Sequence, residues 1–241
     1  MSEDADNAAF ESSGRSPESN RRGFLADAIV VGGLAAGLGV PSSLIASEPA
    51  QGGRPVNPRL FTFVGGRSGG WSVVSAETII GDPLPVVERV EVVAGAVSTP
   101  TAGEGWILRG VTSNGRYVTR EEKVALEQKQ AAVGRPTSDH AALIPIRKSA
   151  AWWALTQDER RELFEEKSRH IAIGLKYLPA IARRLHHCRD LNESEPFDFL
   201  TLFDYSQEYA AAFDDLVAAL RETEEWKFVD REVDLRLVKV T

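Results

Sequence analysis

Apolar and polar positions along the chain divide it into short strands and a few helices. Leu60 to Val64 is a short β-prone run, followed by Gly65-Gly66-Arg67-Ser68-Gly69-Gly70 and then by a second run from Trp71 to Val74. Val86 to Val97 is rich in valine, and Gly105 to Thr112 is another apolar run that ends at Ser113-Asn114-Gly115. Asn-Gly between two β-prone runs favours a tight hairpin turn, so Trp106–Thr112 is predicted to pair with Arg116–Thr119. Arg120 to Ala132 reads as helix and Ala142 to Ile146 as strand. Thr156-Gln157-Asp158-Glu159 has the spacing of a capping box, in which hydroxyl and carboxylate each take a free backbone amide. It starts a helix that continues towards His170. Ala180 to Cys188 and Phe197 to Tyr205 read as strands. Glu208 to Glu225 reads as a helix with Phe213, Leu216, Val217 and Leu220 on its apolar side, and Glu232 to Val240 alternates as a strand. Two halves of mixed β and α structure with antiparallel connections result, an α+β fold.

The chain before Arg59 has a different character. Residues 1–20 are polar and acidic, Asn20-Arg21-Arg22-Gly23-Phe24-Leu25 follows, and Ala28 to Val40 is an uncharged, glycine-rich run. That layout is a twin-arginine export signal, although Ala26 stands where the pattern often has lysine. The apolar run is too short for the roughly 20 residues that a membrane span needs, so no stable membrane anchor is expected once the signal is cleaved. Cleavage is expected near Ala46 or Ser47. The organisation expected is a signal peptide at 1–46, a Gly- and Pro-rich linker at 47–58 and a folded part from Arg59. The precursor's partner would be the twin-arginine export machinery, and the mature protein would be periplasmic or otherwise exported.

Composition narrows the function. A chain of 241 residues that is 43% hydrophobic can bury a sizeable core. Its net charge of −7 and the lack of a basic stripe argue against nucleic acid as a partner, because neutralising phosphates needs clustered Lys and Arg. With Cys188 as the single cysteine there is no intrachain disulfide framework and no multi-thiolate metal site. The Gly65–Gly70 cluster lacks the Lys-Ser/Thr of a phosphate loop and reads as a turn.

The chemistry concentrates between Ala151 and Asp198. His170 stands thirteen residues before the pair Arg183-Arg184, joined to it by an apolar segment. An imidazole is a potential soft-metal or haem ligand, and a guanidinium is a permanent charge that forks towards oxyanions, so together they suit an iron centre acting on a small anion. Adjacent strand residues face opposite sides, so one arginine of the pair can enter a pocket and one of His186 and His187 faces each side. His186 and His187 have no partner at metal-site spacing, and His140 lies in a polar segment.

The wording of this region carries a resemblance. KSRHIAIGLKYLPAIARRL, with Trp152-Trp153 upstream and EPFDFLTLFDY downstream, closely resembles the chlorite dismutase family of haem b proteins, and its short-chain branch most of all. The likeness covers most of the chain after about residue 58. It implies two ferredoxin-like halves, here 59–147 and 148–241, whose sheets form a barrel with haem in the C-terminal half, and it implies a homodimer. It also implies roles. His170 would be the proximal ligand of the haem iron, and Arg183 the distal arginine. Lys148 would pair with a haem propionate, Tyr117 would stand in the same propionate region, and Trp152 and Trp153 would border the haem and the subunit contact. Glu225 would accept a hydrogen bond from the proximal histidine, with Glu224 as the alternative. Arg184 is then left to a surface ion pair.

Three functions are compatible with this resemblance. The first is an exported haem b oxidoreductase that turns chlorite into chloride and dioxygen, with Arg183 holding the anion in place. The second is a coproheme decarboxylase of haem biosynthesis, a reading that the export signal and Arg183 count against. The third is a non-catalytic haem-binding or stress-sensing protein.

Overall fold

In the computed structural model, residues 57–97 and 105–241 are described. Every described residue belongs to one compact unit within Gln51–Thr241. The expected signal peptide at 1–46, and all of the linker except Asn57 and Pro58, lie outside the described residues. Among the described residues no helix is long and apolar enough to cross a membrane.

Eight strands form the frame: β1 (Leu60–Gly66), β2 (Trp71–Ile80), β3 (Arg89–Ala94), β4 (Trp106–Thr112), β5 (His140–Lys148), β6 (Ala182–His187), β7 (Phe199–Tyr205) and β8 (Val229–Lys239). They close into a barrel in the order β1-β3-β2-β8-β5-β7-β6-β4, each pair antiparallel. Read as two sets, β4-β1-β3-β2 and β8-β5-β7-β6, both halves show the fourth-first-third-second order of a ferredoxin-like sheet. The fold is the α+β barrel that the resemblance implies. Between the strands lie α1 (Arg120–Lys129), α2 (Ala150–Ala154), α3 (Gln157–Arg161), α4 (His170–Leu175) and α5 (Ala210–Arg221). Among the described residues all five helices follow β4.

The C-terminal strands are buried on both faces, which is why they read as near-continuous apolar runs. Leu143, Leu200, Leu202, Leu235 and Leu237 point into the barrel and join Phe63, Val90 and Leu108 in one core. Their sequence neighbours Ala142, Ile144, Phe199 and Phe203 point outwards and pack under Phe213, Leu216, Val217 and Leu220 of α5, a second core. That second layer, between sheet and helices, is where a cleft can form.

The seams of the barrel are unequal. β2 and β8 pair from Trp71↔Lys239 to Ile80↔Glu232, whereas β4 and β6 share only Val111↔His187 and Thr112↔His186. Beyond that short seam, side chains complete the edge of β6: Asn114 Oδ1 accepts from the Leu185 amide at 2.9 Å and Gln130 Nε2 donates to the Arg183 carbonyl at 2.9 Å. The glycine cluster does more than turn the chain. β3 lies between β1 and β2, so residues 67–70 must step across its start. A Cβ on Gly69, at φ +153°, would stand 2.6 Å from the Val90 backbone, a spacing that only glycine allows.

Three expectations need correction. Arg116–Thr119 does not pair with β4: the Asn114 side chain is engaged by β6, and Tyr117 takes a left-handed φ of 62°, which ends any extended run. The helix towards His170 is interrupted, with α3 widening into a π-helical turn at Glu162–Lys167 and breaking at Arg169. The helix expected to reach Glu225 ends at Arg221, and Glu224–Phe228 forms a separate 3₁₀ turn.

Candidate functional site

A cleft opens between the outer face of β5–β7 and the helices α4 and α5. Its walls are mostly apolar, with Ile144, Ile146, Phe199 and Phe203 from the sheet and Leu216 and Leu220 from α5. A few polar groups converge on it, the usual composition of a cofactor pocket. Among them are His170, Arg183, Tyr117, Trp152, Lys148 and Glu225, brought together from five separate segments.

On the helix side, His170 is the first residue of α4. Its Nδ1 lies 2.7 Å from Glu225 Oε2, and its ring stacks on Phe164 at 4.3 Å between centroids. Glu225 is buried, 4% exposed, and its other oxygen takes the Lys148 ammonium at 2.8 Å. Burial alone would raise the Glu225 pKa, but the charges of Lys148 and His170 and their hydrogen bonds outweigh it and hold the carboxyl down at about 2. An ionised carboxylate can only accept, so Nδ1 carries a proton towards Glu225, and Nε2 is the nitrogen that a metal could take in place of its proton. The Glu225 amide is in turn fixed by Ser168 Oγ at 2.8 Å. Glu224, the alternative partner, is exposed and binds Lys227 at 2.6 Å.

Arg183 and Arg184 part as strand alternation requires. Arg183 faces the cleft with Leu185, and among the described residues its guanidinium meets no carboxylate. Burial pushes it below its ordinary value, yet arginine starts so high that it remains charged. Arg184 faces the barrel interior. The expected surface ion pair is not found: its guanidinium lies 3.8 Å from the centroid of Phe61, and its Nε is 3.1 Å from His186 Nε2. His186 is buried, and burial, with the Arg184 charge adding to it, lowers its pKa to about 4. His187, on the other face, pairs with Asp190 at 2.7 Å, and Asp190 also holds the cleft residue Arg116 at 2.9 Å.

Two further expectations change. Lys148 is not free for a propionate: its side chain is 3% exposed, and its ammonium is bound to the carboxylate and the carbonyl of Glu225 and set over the rings of Trp152 at 4.7 Å and Trp226 at 5.4 Å. It therefore acts through Glu225 on His170. The tryptophan pair separates, because neighbours on a helix point about 100° apart. Trp152 lines the cleft, whereas Trp153 turns away to donate to Asp198 Oδ2 at 3.1 Å and to stack on Phe199. Neither Ser168 nor Phe164 carried a signal in the sequence; a single serine and a single apolar residue of a helical segment name no partner until the chain is folded.

These residues fit a haem. Tyr117 Oη and Trp152 Nε1 are buried without a hydrogen-bond partner, and both belong to the cleft lining. Buried polar groups ordinarily find partners, so two orphaned donors in one apolar cleft suit a flat apolar group with carboxylates at its edge. His170 Nε2 would be the nitrogen to hold its iron, and Arg183 would stand as a cation in the same cleft.

Comparison with known proteins agrees. The chlorite dismutase family model matches residues 93–240. A curated relative, the chlorite dismutase of Ideonella dechloratans, is 28% identical over 123 residues, which span 50% of this chain and 40% of that protein's length. The crystal structure of dimeric chlorite dismutases from Nitrobacter winogradskyi is 56% identical, with a TM-score of 0.69, covering 75% of this chain and 99% of that one. A mutant chlorite dismutase of Candidatus Nitrospira defluvii in complex with cyanide, 20% identical, shares the fold at a TM-score of 0.55, covering 75% and 90%.

Proposed function

The chain belongs to the chlorite dismutase family, whose members are haem b enzymes, and from that premise we propose that it converts chlorite to chloride and dioxygen. The observation that carries this reading is a half-buried guanidinium, free of carboxylate partners among the described residues, in the same cleft as an imidazole whose Nε2 is available. We further propose a homodimer, on the likeness to a dimeric relative.

The overall change, ClO₂⁻ to Cl⁻ and O₂, balances without any proton or water. A site for it needs a group that exchanges electrons with the anion and a group that keeps the anion in place, but no general acid. The haem, when bound, supplies the electron exchange. His170 would hold it through Nε2, and Glu225 would fix the tautomer and raise the donor strength of the ring. Arg183 stays charged and cannot serve as an acid, which suits it to hold chlorite and any chlorine oxyanion derived from it until both oxygens have joined. Apolar walls exclude water and strengthen that electrostatic grip.

Loss of Arg183 should therefore leave haem bound and cripple turnover. Arg183→Ala is expected to lower oxygen evolution from chlorite at least about tenfold, or about 1.4 kcal/mol, and to bleach faster as hypochlorite escapes. Arg184→Ala, which removes a barrel-interior contact, should keep the rate within about twofold. Steady-state oxygen evolution with a hypochlorite trap measures both. The reading fails if Arg184→Ala is the impaired variant or if neither change matters.

Export is proposed on the sequence alone, from Arg21-Arg22 followed by Phe24-Leu25. Changing both arginines to lysine should retain the precursor inside the cell, as fractionation would show. Undiminished export would refute the twin-arginine route.

A further inference from the structure

The segment that delivers His170 is broken in a particular way, and the break supports an inference that rests on reading His170 as the iron ligand. From Gln157 the chain makes one α turn, widens into the π turn at Glu162–Lys167, and stops at Arg169, whose φ of 54° is left-handed. α4 then begins afresh at His170. Every new helix start leaves backbone amides without partners, and normally a short side chain at the residue just before the helix accepts from the second or third of them. Arg169 occupies that place and makes no such bond.

Glu165 does it instead, from the preceding turn. Its Oε2 accepts from the Ile171 amide at 2.6 Å and its Oε1 lies 3.3 Å from the Ala172 amide. In an unbroken α-helix, residues six apart are about 9 Å distant along the axis, so this contact exists only because the helix breaks, and it fixes how α4 leaves the π turn. Phe164, the residue before Glu165, stacks on the His170 imidazole at 4.3 Å and 24°. Two consecutive residues of the π turn thus hold the backbone after His170 and the His170 ring, while Glu225 holds Nδ1.

We infer that Glu165 is a positioning residue for His170: by binding the amides of Ile171 and Ala172 it sets the direction in which Nε2 enters the cleft. Its side chain is not part of the cleft lining. Its effect therefore belongs on haem retention and on the local amides, with turnover following from those.

The test uses the full chain, with and without haem b. In the haem-free protein, Glu165→Ala should shift the Ile171 and Ala172 amide resonances upfield and lower their protection from exchange. In the loaded protein it should speed transfer of haem to excess apomyoglobin about tenfold, the low end of what loss of an outer partner costs a metal site. Glu165→Gln keeps an acceptor oxygen at the same reach and should stay near wild type in both measurements. Glu165→Asp keeps the charge but falls one methylene short, so it should resemble Glu165→Ala, and it decides the matter if the alanine variant does not fold. Unchanged amides and unchanged haem loss in Glu165→Ala or Glu165→Asp, or a Glu165→Gln variant as impaired as alanine, would overturn the assignment. His170→Ala is measured alongside: if it loses haem no faster than wild type, the ligand assignment is what fails, and the amide resonances of the haem-free variants still judge Glu165.

Discussion

Replacing His170 with alanine should leave the fold standing and strip the protein of haem. The imidazole side chain is 25% exposed and lies at the cleft wall, while its neighbour Ile171 anchors α4 in the protein interior, so little packing is lost. What disappears is the nitrogen that Glu225 orients. Removing a mere outer partner of a metal ligand costs roughly 10–100-fold in affinity, and removing the ligand itself should cost more than that. A titration of apoprotein with haem b, read by its ferric absorption spectrum and by thermal unfolding without haem, separates the two effects. Wild-type affinity and spectrum in a folded His170→Ala protein would reject the ligand assignment.

The largest loss of stability is expected at Lys148. Methionine there preserves the length and the apolar stem but removes the ammonium that neutralises Glu225, leaving a carboxylate at 4% exposure beside His170 alone. Breaking a buried pair from one side costs about 3–5 kcal/mol, because the abandoned charge stays buried. For a folded unit of this size that corresponds to a fall of about 6–20 °C in Tm. Adding Glu225→Gln should recover part of the loss, since the two positions are directly coupled. The pH dependence has a definite sign. The Glu225 carboxyl is depressed in the folded protein from its ordinary 4.5 to about 2, so its contribution is fully present above 4.5 and disappears as pH falls through 2. Without Lys148 the depression shrinks, and acid unfolding should begin at higher pH. A Lys148→Met protein with the Tm and acid limb of wild type would show that the pair contributes nothing.

The C-terminal half was readable because its strands are buried on both faces and so stand out as apolar runs, and because α5 carries a clear apolar stripe. Which arginine enters the cleft, out of Arg183 and Arg184, was readable too, since alternation on β6 leaves only the choice that the resemblance supplied. Other features depend on contacts far along the chain. The Asn114-Gly115 turn looked like a hairpin, but Asn114 binds the amide of Leu185, 71 residues away. The Lys148 ammonium meets Glu225 across 77 residues, a pairing no local pattern reveals. The π turn was hidden for a different reason: apolar positions between Gln157 and Leu175 suit a continuous helix, and only the capping by Glu165 shows that it stops and restarts.

The repeated strand order of the barrel has a consequence for evolution and stoichiometry. Two sheets with the same fourth-first-third-second order are what an internal duplication leaves behind, and an ancestral unit with helices over its sheet would offer one cleft per copy. Here all the helices of the described residues follow β4, and even α1, which joins the two repeats, places Leu126 in the lining of the one cleft. The first repeat has thus become a wall that completes the barrel, and the second has kept the covered face. On the proposed function the described residues offer one haem site, so the proposed dimer would hold two haems.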